Sequence, residues 1–128
     1  MVPAFTGLGA PHWDPDARAA IHGLTLGTTG AHLARAALEA VGFQTADLMG
    51  AMLADGAARP AVVRVDGGMA ANDWLCGFLA GLAVGLWSGL PALEALWTCE
   101  RRFEAAMPPE RRASLMAGWR DAVRRTLS

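Results

Sequence analysis

At 128 residues, 53% of them hydrophobic, the chain is one domain or part of one, with enough apolar content for a core rather than a disordered coil. Eleven basic against twelve acidic side chains leave a net charge of −1, which gives no electrostatic basis for binding nucleic acid. All the basic side chains are arginine, so a Walker-type phosphate lysine and Schiff-base lysine chemistry are excluded.

Residues 1–20 read as loop and turn, punctuated by Pro3, Gly7, Gly9, Pro11 and Pro15, with "WDPDA" an Asx-type turn. A short extended piece is expected near "AAIHGLTL". Residues 29–54 are predicted helical, capped by Thr28 or Thr29, with Leu33, Ala37, Val41, Leu48 and Met52 on one face. Gly42 and Gly50 weaken this helix but would let another element pack closely. "DGAARP" breaks the chain, and "AVVRVD" reads as a short strand ended by Gly67-Gly68. A helix then begins near Asn72, a good N-cap. The order helix, strand, Gly-Gly turn, helix suits an α/β layer architecture. "PALEALW" suggests a short helix. "PPERRASLMAGWRDAVRRTL" is a longer one, opened by Pro108 and Pro109, with Leu115, Trp119, Ala122 and Val123 as its apolar stripe.

The chemistry-bearing candidates are few. Two glycines between a strand and a helix permit positive φ and close approach of the backbone to a ligand, and the helix N-terminus beyond adds unpaired N–H groups. Taken alone, "DGGMAAN" is read more readily as an ordinary strand-to-helix turn. Asp14 and Asp16 form a DxD pair in a Pro-rich loop, better read as a turn than as a metal site. His12, His22 and His32 are too scattered to pair on a metal. Cys76 and Cys99 form no CxxC and read as free, buried thiols of a reducing compartment. "MVPAFTGLGAPHW" has no signal-peptide pattern, and the expected location is cytoplasmic.

"VPAFTGLGAPHWDPDARAAIHGLTLGTTGAHLARAALEAVGFQTADLM", "RVDGGMAANDWL", "AGLAVGLW" and "RRFEAAMPPERRASLMAGWRDAVRRTL", in that order along nearly the whole chain, resemble the C-terminal domain of the FGGY carbohydrate kinases, on their glycerol kinase branch. The resemblance implies an α/β, actin-like ATPase (ribonuclease H-like) domain and ATP-dependent phosphorylation of glycerol with Mg²⁺. It further implies that Gly67, Gly68, Met69 and Asn72 line the adenosine side of the nucleotide site. The catalytic base, the phosphate-binding loop and the glycerol pocket are expected in an N-terminal domain that this sequence does not contain. No catalytic or metal-ligating residue is therefore assigned here.

Against the family pattern, residues 1–128 read as a truncated domain with an internal deletion near 79–81, where "NDWLCGFLA" runs directly into "GLAVGLW". A sheet strand and its Gly-rich loop are expected to be lost, leaving an incomplete sheet with packed helices. His12 stands where an aromatic is usual and Ala46 where an arginine is usual; Glu39 is expected to anchor nearby backbone or an arginine such as Arg18. The fusion leaves residues 74–93 without charge, with glycines at every fourth position from 77 to 89, as a membrane span would have. Two soluble core helices joined end to end give the same stretch. Expected partners are ATP or ADP, glycerol through the other domain, and a complementing N-terminal half or a second copy. Neither nucleic acid nor membrane is an expected partner; the rival readings are a non-catalytic interaction module or relic and, behind these, a membrane-associated helix protein.

Overall fold

The computed structural model describes residues 1–60, 62–83, 103 and 106–127. Three α-helices dominate: α1 (Gly30–Ala54), α2 (Asp73–Ala83) and α3 (Pro109–Arg124). The expected helix at 91–97, Cys99, Trp87 and Trp97 lie outside the described residues.

The N-terminal loop contributes to the core. Val2 and Ala20 exchange backbone hydrogen bonds (2.8 and 3.0 Å), as do Leu8 and Asp14 (2.7 and 3.0 Å). Asp14 closes the expected Asx turn, its Oδ1 accepting from the N–H groups of Asp16 and Ala17 at 3.0 Å. These local bonds satisfy the backbone of an irregular segment whose Val2, Ala4, Leu8 and Ala17 are buried. The extended piece expected near residues 19–26 is reduced to the single bridge at Ala20.

α1 begins at Thr29, whose backbone N–H donates to Nδ1 of His32, so a histidine takes the place of the usual acidic partner in a capping box. It ends in a Schellman motif. Gly56, at φ +87, donates to the Leu53 carbonyl, and Ala57 to that of Met52. The bounds match expectation, but the buried face does not. Ala40, Gly42 and Phe43 are buried, whereas Leu33, Ala37, Leu48 and Met52 are exposed and Val41 is half-buried. α1 is apolar on both sides, so helical periodicity did not choose between them. α2 packs on the side with the smallest residues.

That contact sets opposite roles for two glycines. A Cβ at Gly42 would lie 2.7 Å from the Phe78 ring and 3.1 Å from Leu82, whereas a Cβ at Gly50 meets open space. Gly50→Ala is expected to stabilise the chain by about 0.5–1 kcal/mol, the ordinary gain from removing an exposed helix glycine. Gly42→Ala is expected to destabilise it by roughly 1–3 kcal/mol through overpacking, despite its better helix propensity. Urea midpoints that moved the same way in both variants would contradict this packing.

The strand expected at 61–66 is not formed: residues 62–66 carry no ladder and are exposed. A strand exists by pairing, and among the described residues no second strand offers an edge. The α/β expectation is thus met in part, since the described structure is helix-rich.

α3 starts at Pro109, where a missing N–H costs nothing. It buries Met116, Trp119 and Val123 and half-buries Leu115 and Ala122, so its expected stripe is correct with Met116 added. Arg124 and Arg125 both reach Asp121 at 2.7 Å, and the Arg124 hydrogen bond holds that carboxyl below its ordinary 3.8. The helices meet along a row of rings. Trp74 stacks on Phe78 (4.9 Å), Phe78 meets Phe43 edge-on (5.5 Å), and Phe43 stacks on Trp119 (5.3 Å). Arg112 of α3 donates from Nε to the Leu82 carbonyl (2.7 Å), satisfying a group in the last turn of α2.

Candidate functional site

The segment from Asp66 to Asn72 joins the exposed run 62–66 to α2. Gly67 has φ +83 and ψ −177, a backbone region that side-chain-bearing residues essentially do not occupy. It turns the chain into a single 3₁₀ turn, Gly68–Ala71, in which Ala70 donates to the Gly67 carbonyl (3.0 Å). Gly68 differs from its neighbour. Its φ is ordinary and a Cβ there would meet nothing within 4 Å, so no part of the described chain requires it to be glycine. A bare backbone on an open surface is what close approach of an outside group needs.

Asn72 both ends the 3₁₀ turn and caps α2. Its Oδ1 accepts from the Leu75 N–H (3.0 Å) and its backbone carbonyl from Cys76 (3.1 Å). The cap fixes the side chain through its carbonyl oxygen and leaves donor chemistry to the amide nitrogen. The buried Cys76 thiol lies 3.5 Å from the Ala70 carbonyl, a second tie between turn and helix. Met69 stands on the turn, 44% exposed. The four residues singled out in the sequence therefore form one continuous, solvent-facing corner. The groove lined by Glu39, Phe43 and Trp119 lies elsewhere, and the one lined by Arg35, Trp74 and Arg111 touches the corner's edge at Asp73.

Two carboxylates flank the corner, Asp66 before the glycines and Asp73 in the first turn of α2. Asp73 sits where a helix dipole favours negative charge, and so occupies the position that a phosphate would otherwise exploit. The two carboxylates make the corner better suited to a neutral group than to an anion. Among the described residues no three His, Cys, Asp or Glu side chains cluster to hold a metal. No helix among them is long and apolar enough to cross a membrane, and residues 84–93 of the uncharged stretch lie outside them.

Other contacts were not legible in the sequence or were expected differently. Glu39 pairs with Arg35 at 2.9 Å, an i,i+4 contact, and not with Arg18, whose guanidinium donates to the Pro15 and Ala17 carbonyls. Arg35 also lies 3.4 Å over the Trp74 ring, which pins the start of α2 to α1. His12, Asp47 and Trp119 converge, with the indole N–H donating to Asp47 Oδ2 and His12 Nε2 3.6 Å from the same oxygen. No spacing in the sequence announces a contact between positions so far apart.

Residues 1–83 match the model of the FGGY family of carbohydrate kinases, C-terminal domain. The whole chain aligns at 51% identity over 152 residues with a glycerol kinase of Gluconobacter oxydans, covering 30% of it. It aligns at 49% identity with a glycerol kinase of Rhodospirillum rubrum, covering 31% of that protein. Its fold is similar to the crystal structure of Plasmodium falciparum glycerol kinase with ADP, at a TM-score of 0.81 and 33% identity, over 99% of this chain and 30% of the other. The chain thus spans about 30% of the length of these relatives.

Proposed function

The chain belongs to the FGGY family of carbohydrate kinases, and from that membership we propose that it forms the adenosine side of the nucleotide cleft of a glycerol kinase. Gly67 shapes the corner, Gly68 leaves its backbone open to the nucleoside, and Asn72 and Met69 flank it. The observation that carries this reading is one open corner that joins Gly67 at φ +83, an unobstructed Gly68 and the Asn72 cap. The flanking carboxylates of Asp66 and Asp73 support adenosine, which is uncharged, over the phosphates as the bound part.

The reaction is transfer of the ATP γ-phosphoryl group to a terminal hydroxyl of glycerol, giving glycerol 3-phosphate and ADP. It requires charge stabilisation and a base near the attacking hydroxyl. By the family resemblance, Mg²⁺ and that base are held by a portion of the enzyme that this chain does not match. We therefore assign catalysis to a pairing of this chain with a complementing N-terminal half, in the cytoplasm, and none to the chain alone. The internal deletion belongs to the same reading. Alignments of 152 residues against a chain of 128 support it, and α2 runs unbroken through 79–81, as a fusion of two helices would.

Mixing the chain with the N-terminal portion of the Gluconobacter relative tests this. Glycerol-dependent ADP formation is expected in the mixture and in neither part alone. A silent mixture, in which this chain still binds ADP, would instead make it a non-catalytic nucleotide-binding relic. The exposed apolar face of α1 would then favour an interaction module.

A further inference from the structure

We propose that Asp66-Gly67 is a site of spontaneous covalent modification, where the folded chain converts Asp66 to isoaspartate, while the second Asp-Gly pair, Asp55-Gly56, is protected by its fold. The reaction does not depend on a nucleotide at the corner. The sequence holds two Asp-Gly pairs, and all four residues are exposed. Glycine favours this chemistry because it has no Cβ to block its nitrogen from the preceding side chain. In the reaction the glycine nitrogen attacks Cγ of the protonated aspartate. An N–C bond forms, and the amide proton and the carboxyl hydroxyl leave as water. Water then reopens the five-membered imide. Addition at the side-chain carbonyl restores aspartate, and addition at the backbone carbonyl gives isoaspartate. No atom is gained or lost overall, and no oxidant or cofactor takes part. The backbone then runs through Cβ and Cγ, one methylene longer, directly before Gly67.

The two pairs differ in how the reacting peptide unit is held. For the nitrogen to reach Cγ, that unit must rotate about the aspartate ψ. At Asp55 the rotation is opposed. Gly56 donates its N–H to the Leu53 carbonyl (3.1 Å), and Ala57 donates to that of Met52 (2.9 Å). With Gly56 at φ +87 these bonds close the end of α1, so turning the peptide breaks the helix terminus. At Asp66 the turn is held from the other side. The Gly67 carbonyl accepts from Ala70 (3.0 Å), a bond that belongs to the next peptide unit and survives the rotation. Among the described residues no hydrogen bond holds the 66–67 peptide unit, and its exposure admits the water that the second step consumes.

Peptide mapping of the full purified chain, aged in mildly acidic buffer, tests the proposal. Arg64 lies between the two pairs, so trypsin places them on separate peptides. Isoaspartate is read as a product of unchanged mass and altered retention that accepts a methyl group from an isoaspartyl methyltransferase. It is expected to accumulate at Asp66 about tenfold faster than at Asp55, the factor for opening two backbone hydrogen bonds of ordinary net strength. In concentrated urea, where the end of α1 is lost, the two rates should converge. Asp66→Glu, which would need a larger ring, should abolish the product on its peptide. Equal rates in the folded chain, a faster Asp55, or no isoaspartate at Asp66 would overturn the proposal. So would a product that persists in Asp66→Glu, or a tenfold difference that persists in urea and so traces to flanking sequence.

Discussion

Trp119→Ala is expected to remove about 3–5 kcal/mol of stability, the usual cost of deleting a buried large aromatic. Domains of this size have roughly 5–15 kcal/mol in all, so the variant loses roughly a fifth or more of its margin. Three losses combine. The indole is 4% exposed and stacked on Phe43, so its deletion opens a void in the buried core cluster. Its N–H is the donor to Asp47, which would keep a largely buried carboxylate without that bond. It is also the end of the ring row that joins α3 to α1 and α2. Trp119→Phe retains most of the volume and loses the donor, and is expected to cost about 1–3 kcal/mol. A urea titration followed by far-ultraviolet circular dichroism separates the two variants. Equal midpoints for Trp119→Ala and the parent would mean that α3 is not part of the cooperative core.

The contrast between what the residues announced and what folding decided is physical. Local signals held. The Thr29 cap, the Asn72 cap, the Pro109 start and the Asx turn at Asp14 each depend on groups a few residues apart. Non-local choices did not hold. α1 could bury either of two apolar faces, and Gly42 decided the matter by admitting Phe78 to 2.7 Å of where a Cβ would stand. The run 62–66 has strand composition but no ladder among the described residues, and propensity does not replace one. Glu39 does anchor an arginine, but it is Arg35 one helical turn away and not the Arg18 offered as an example. His12, Asp47 and Trp119 meet from three separate segments, which no motif could register. The corner itself was legible as a Gly-Gly turn before a capped helix. Its assignment to a nucleotide came from the family resemblance, and the geometry adds that Gly68 serves nothing inside the described chain.

The second large effect is ligand-dependent, and it bears on the central claim that this corner is half of an adenosine site. A ligand that binds the folded chain alone raises its stability by about 2.7 kcal/mol at a hundredfold excess over Kd. For a domain of this size that is a shift on the order of 10 °C. Gly68→Val is the discriminating variant, because its φ is ordinary and its new side chain meets open space, so the fold has no reason to change. Gly67→Val would confound the result, since φ +83 strains any side chain there.

The measurement is thermal unfolding of the parent and of Gly68→Val, each with and without excess Mg-ADP. The account predicts equal transitions for the two proteins without nucleotide, an upward shift for the parent with it, and no shift for Gly68→Val. A cooperative parent transition that ignores ADP, or a Gly68→Val shift as large as the parent's, would contradict it.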